Sequence, residues 1–223
     1  MDGRERERRD PAATRQALLQ AAAGLFAERG FDGVPIEEVA ERAGVNKALI
    51  SYHFRGKRGL YVAILESTFA EISARLSAID GEAESAHDAL RGFLEAIERF
   101  WRERPGFPTL FMREVLAQGI EPAVVPHLLA IIGVTRRLAE RGAREGLFRR
   151  VDPLLFHFGL VGSVIFFLAT EPARRKAAAA TGAPFALPEA RAFLRYVEEL
   201  TLRGLAARPP AKPSRPRRKG ARA

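Results

Sequence analysis

"AGVNKALISYHFRGKRGLY", residues 43–61, decides the reading of this chain. With Arg42 just before it, the stretch gathers Lys47, Arg55, Lys57 and Arg58 and contains no acidic residue. Its apolar residues recur at helical spacing. Two short helices joined by Ala43-Gly44-Val45-Asn46 form a helix-turn-helix, with Gly44 taking a backbone turn that a side chain would strain. Ala40 and Ala43 are small enough for the two helices to cross closely. Val45, Ile50 and Phe54 are then expected to pin the third helix to the first and fourth. Asn46, Lys47, Ala48, Leu49, Ser51 and Tyr52 remain facing outward, with His53 after them. Such a face offers charge, hydrogen-bonding groups and small apolar surface, which is what a DNA major groove accepts. Lys57 opens the fourth helix, whose free N–H groups and positive charge make a phosphate site flanked by Arg55 and Arg58.

Outward from this stretch the pattern is helical throughout, with no strand-like alternation and no repeat. Apolar stripes and stop signals predict nine helices, near 14–29, 36–43, 46–52, 57–78, 84–103, 109–118, 122–145, 153–170 and 188–206. Thr14 is read as the first N-cap, Gly30 and Gly44 as C-terminal stops, and Gly81 as a break. Asp152-Pro153 opens the eighth helix. The segment "EPARRKAAAATGAPFALP", 171–188, is read as a connection.

The chain has 223 residues, 47% of them apolar, a net charge of +9 and no cysteine. Without cysteine there are no disulfides, thiolate metal sites or cysteine nucleophiles, which fits a reducing cytoplasm. The charge is unevenly placed. Residues 1–60 hold 11 basic and 9 acidic groups, 61–207 hold 18 of each, and 208–223 hold seven basic and none acidic. The last segment reads as a disordered basic tail over 207–223, and residues 1–13 as a flexible arm. No apolar run opens the chain, so no secretory leader is expected. The apolar stretch 154–170 has only 17 residues, the short edge of a membrane span, and is read as a buried helix.

Residues 14–61, "TRQALLQAAAGLFAERGFDGVPIEEVAERAGVNKALISYHFRGKRGLY", resemble the N-terminal domain of the TetR (tetracycline-repressor) family. The landmarks are Leu25-Phe26, Gly30-Phe31, Val39-Ala40, Ala43-Gly44-Val45, Phe54, Lys57 and Leu60. "REGLFRRVDP", 144–153, is also similar to the approach to that family's penultimate helix. Three positions depart from its pattern. Val34-Pro35 stands where a hydroxyl pair is usual, Ser51 where a tyrosine is usual, and Arg58 where an acidic residue is usual. The resemblance implies an all-α protein, with a three-helix DNA-binding domain over 14–60 and a helical ligand-binding and dimerisation domain over 61–206. It also implies a cytoplasmic transcriptional regulator, most often a repressor.

The residues of the body carry part of this expectation themselves. Segment 154–169 is apolar nearly all round, so a second subunit is expected on one side of it. Gly159, Gly162 and Ser163 let another helix approach, and Leu155, Phe166, Phe193, Val197, Leu200 and Thr201 complete the candidate dimer face. A homodimer also presents two reading heads to a palindrome. Trp101, Phe107, Phe111, Met112, His127, Phe156, His157 and Phe167 are candidate ligand-binding residues. Few polar groups accompany them, so an apolar or aromatic effector is expected. A regulator with the same reading head but no small ligand, controlled by a protein partner or by its abundance, stays open. An enzyme is not expected, since there is no phosphate-binding loop, no nucleophile motif and no pair of metal-type histidines. No cofactor or metal is called for.

Overall fold

The computed structural model describes residues 10–182 and 186–207. Those residues form ten helices and no strand: α1 Pro11–Arg29, α2 Ile36–Ala43, α3 Ala48–Phe54, α4 Lys57–Glu82, α5 Ala86–Glu103, α6 Phe107–Gln118, α7 Val125–Arg144, α8 Pro153–Ala169, α9 Glu171–Thr181 and α10 Ala190–Gly204. A 3₁₀ turn, Pro122–Val124, leads into α7. The middle of α8, Phe158–Gly162, is a π-helical turn. The tail 208–223 and positions 1–9 of the arm lie outside the described residues.

Leu18, Ala22, Leu25 and Phe26 of α1 are buried against Val39 and Ala40 of α2, Ile50 and Phe54 of α3, and Leu60 and Tyr61 of α4. These four helices make the front of the molecule. α4 then runs on into the body, where Phe69, Ile72 and Leu76 join Leu90, Phe93, Leu94 and Ile97 of α5 and Ile131, Val134 and Leu138 of α7. α8 packs on α7, α9 follows α8, and α10 covers α5 and the second half of α8. The span Pro122–Arg144 is apolar and long enough to cross a membrane by length and composition. Here its stripe is core, while Arg136, Arg137 and Glu140 face outward.

The structure moves four expected boundaries. α1 starts at Pro11, not Thr14: Asp10 is the cap, accepting from the Ala12 N–H at 3.0 Å, and Thr14 is buried. Residues 11–13 therefore belong to a helix rather than to an arm. α3 begins two residues later than expected, and Asn46 still caps it, its Oδ1 accepting from the Ala48 N–H at 2.8 Å. α4 continues through Gly81. Asp80 pairs with Arg137 at 2.6 Å and Ile79 leans on Gly92, so packing overrides the weak propensity of one glycine. Segment 171–181, read as a connection, is helix α9. Glu171 pairs with Arg175 one turn on, the alanine run favours helix, and Gly182 closes it in the left-handed conformation.

Candidate functional site

The turn between α2 and α3 is held by backbone bonds. The Gly44 N–H reaches the Glu41 carbonyl at 2.9 Å and the Val45 N–H reaches that of Ala40 at 3.0 Å, with Gly44 at φ +65°. α2 starts at Pro35 with no side-chain cap, as expected where the hydroxyl pair is missing, and Glu37 and Glu38 face its positive end. With Ile50 and Phe54 buried, α3 presents Asn46, Lys47, Ala48, Ser51 and Tyr52 to solvent, and Tyr52 is 79% exposed. Leu49 is half-buried against the core instead of outward, and His53 is half-buried with its ring beside Tyr52 and Phe54. Arg55 is exposed, ends α3, and sits at φ +61°. The chain then turns through Gly56 into α4, where Lys57 places its ammonium 4.5 Å from the centre of the Phe31 ring. Phe31 in turn meets Phe26 and Tyr61.

Arg58 is expected beside Lys57 on the DNA, but its guanidinium turns to the body. Nη1 lies 2.8 Å from Glu114 of α6, and Nη2 lies 2.5 Å from Glu121, just before α7. Glu114 is buried close to the Tyr61 hydroxyl. Burial, then the Glu114 carboxylate, push the Tyr61 hydroxyl well above its ordinary range. Both Arg58 guanidinium contacts are thus made to carboxylates of the body in this conformation. The signal was in the sequence, as an arginine where the family pattern has an acid.

Inside the body lies a cavity of about 350 Å³. Phe69, Ile72 and Leu76 of α4 form one wall. Ile97 and Trp101 of α5, Phe111 and Val115 of α6, Leu128, Ile131 and Ile132 of α7, and His157, Val161 and Ile165 of α8 form the rest. Ile120, Val125, Leu129 and Phe158 also line it and are exposed, which places them at the mouth. His157 is the one titratable residue of the lining. Its Nδ1 lies 2.9 Å from the Thr135 hydroxyl, and burial holds its pKa below the ordinary value. The Trp101 Nε1 is buried with no hydrogen-bond partner among the described residues. Among those residues no group of three or more His, Cys, Asp or Glu is placed to hold a metal.

The family model for "Bacterial regulatory proteins, tetR family" matches residues 18–64, which run from inside α1 to the first turns of α4. Over that stretch the chain is similar to the TetR family. Among curated TetR-type regulators, it is 28% identical to the HTH-type transcriptional repressor NicS of Pseudomonas putida, over 86% of this chain and 92% of that one. It is 29% identical to the HTH-type transcriptional regulator RutR of Escherichia coli K12, over 64% of this chain and 68% of the other. In fold it is similar to FadR of Bacillus subtilis, solved in complex with stearoyl-CoA. The TM-score there is 0.71 at 16% identity, covering 85% of this chain and 98% of that one.

In the body the expected ligand residues separate. Trp101, Phe111 and His157 line the cavity. Phe107 stacks on the Trp101 ring and belongs to the core behind it. Phe156 packs on Phe148, and Phe167 lies face to face with Phe193 at 4.0 Å. Met112 and His127 are half-buried outside the lining. The wall residues that the aromatic pattern missed are mostly aliphatic, Val115, Leu128, Ile132, Val161 and Ile165 among them, with Phe69 and Phe158 beside them. Their stripes looked like ordinary core, and only the three-dimensional gap distinguishes them.

The expected dimer residues also separate. Leu155 and Phe166 of α8 and Leu200 of α10 are exposed, together with Phe158 and Tyr196. Gly159 is exposed as well, while Ser163 and Thr201 are half-buried and Gly162 lines the cavity. Val197 is buried within its own subunit, because α10 turns Leu194 and Val197 onto the core, and Phe193 is taken up by Phe167.

Proposed function

We propose that this protein is a ligand-responsive homodimeric repressor. It binds a palindromic operator through α3 and the start of α4, and it is released when a small apolar or aromatic ligand fills the cavity. The observation that carries this reading is the double use of α4. One end of that helix presents Lys57 beside α3, and further along the same helix Phe69, Ile72 and Leu76 are cavity wall. A ligand that displaces α4 tilts the reading head on the duplex. The coupling is thermodynamic, so ligand and operator weaken each other by the same factor. The exposed apolar faces of α8 and α10 support a second copy on that side, and two heads suit a two-fold operator. The workplace of such a protein is the cytoplasm.

The apolar wall agrees in kind with the acyl ligand of FadR, and the repressor role with NicS. The volume, about 350 Å³, sits at the low end for ligand sites and favours a compact molecule over a long chain. Selection of bound fragments from a random duplex pool by the full chain tests the reading. An inverted repeat is expected, and its binding should weaken when a small aromatic compound stabilises the protein. A non-symmetric site, or binding indifferent to every compound that stabilises the fold, overturns it.

A further inference from the structure

We propose that His157 is the polar handle of the cavity, its Nε2 accepting a hydrogen bond from a hydroxyl or N–H group on an otherwise apolar, uncharged ligand. This rests on the cavity being the effector site. His157 is nine-tenths buried and lines a space otherwise walled by hydrocarbon, a glycine and the Trp101 indole. Its Nδ1 is engaged by Thr135 Oγ1 at 2.9 Å, and Nε2 has no partner among the described residues. The tautomer follows from the single proton of Thr135. That hydroxyl lies 3.0 Å from the Ile132 carbonyl, which only accepts. With the proton spent there, the hydroxyl oxygen accepts from Nδ1–H, and Nε2 keeps a lone pair. Burial keeps the ring neutral.

The charge of the ligand follows from the same lining. No Lys, Arg, Asp or Glu lines the cavity, so an ionised ligand would lose its hydration without a counter-charge. The ligand class is therefore a neutral aromatic or aliphatic alcohol, phenol or N–H compound. Its one donor meets His157 while its bulk meets α4, α6 and α7.

The chain has one tryptophan, and it lines the cavity, so its fluorescence reports occupancy directly. The full protein is titrated with 4-tert-butylphenol and with 4-tert-butylanisole, which differ in the donor. The phenol should bind about three- to tenfold more tightly, the worth of one neutral hydrogen bond. In His157→Phe the two should bind alike. Equal binding in the unchanged protein overturns the handle and leaves the cavity reading standing. No response of Trp101 to either compound overturns both. Long-range ¹⁵N spectra of the unchanged protein give the tautomer without any variant. Protonation at Nδ1 supports the handle, and protonation at Nε2 overturns it.

Discussion

Arg58 Nη1 lies 2.8 Å from Glu114 Oε1, and this contact ties the start of α4 to α6. Glu121 takes the other side of the same guanidinium. Glu114 precedes Val115 and Glu121 follows Ile120, two residues of the cavity wall. On the proposed function, the ion pair thus joins the reading head to the segment beside the ligand.

Arg58→Ala should cost about 1–2 kcal/mol in denaturant melts, because the buried Glu114 loses its main cation while the half-exposed Arg58 is partly screened. Glu114→Gln should cost less, since the amide still reaches Arg58 and the freed charge is the one facing water. The salt slope of DNA binding should be unchanged in Arg58→Ala. A slope smaller by about one would instead place Arg58 on a phosphate.

Lys57→Ala should weaken binding to all duplexes alike and reduce the salt slope by about one. Lys47 and Ser51 are exposed on α3. Substituting them should change which sequences are selected more than it changes the salt slope. A Lys57→Ala protein with unaltered slope contradicts the phosphate role.

Phe166 and Leu200 are exposed on neighbouring helices. Phe166→Glu should convert the proposed dimer to monomer in light-scattering measurements at micromolar concentration. Binding to the full inverted repeat should fall at least tenfold, while binding to a half-site stays near its former weak level. A variant that remains dimeric places the interface elsewhere.

Gly59 stands so close to the preceding turn that an added Cβ would lie 1.7 Å from the Phe54 carbonyl oxygen. Gly59→Ala should therefore cost more than about 2 kcal/mol and disturb the α3–α4 junction. Gly81→Ala is the internal control. It lies in the same helix with open space around it, and should stabilise by about 0.5–1 kcal/mol.

His157 has a folded-state pKa below its ordinary value of 6.5. Between the two values the unfolded chain binds the extra proton and the folded one does not, so folding stability rises with pH across that window. The melting temperature should fall as pH drops below about 6.5, and this part of the fall should be missing in His157→Phe. An unchanged pH profile in that variant removes His157 as its source.

Much of the front of the molecule was legible in the sequence because its local signals agree. Gly44, Ala40, Asn46 and Phe54 each do one job that backbone chemistry or residue size specifies. The Arg58 ion pairs were not legible because a charge has no direction in a sequence, and its carboxylates lie 56 and 63 positions away. α9 was missed because it buries nothing, so no apolar stripe announced it. The cavity was legible only in part. Aromatic residues drew attention, yet Phe156 fills core and Phe167 stacks on Phe193, while Val115, Leu128 and Val161 bound empty space. Whether a stripe closes on its neighbour or stands off from it is set by helix angles that no single segment encodes.

Arg55 is the one non-glycine residue with positive φ among the described residues. A glycine would rest there with about 1 kcal/mol less strain. Arg55→Gly should therefore melt later and hold duplex less firmly. On the proposed function, the corner that ends α3 trades thermal endurance for grip, and selection for a hardier fold alone would erode the hold on duplex.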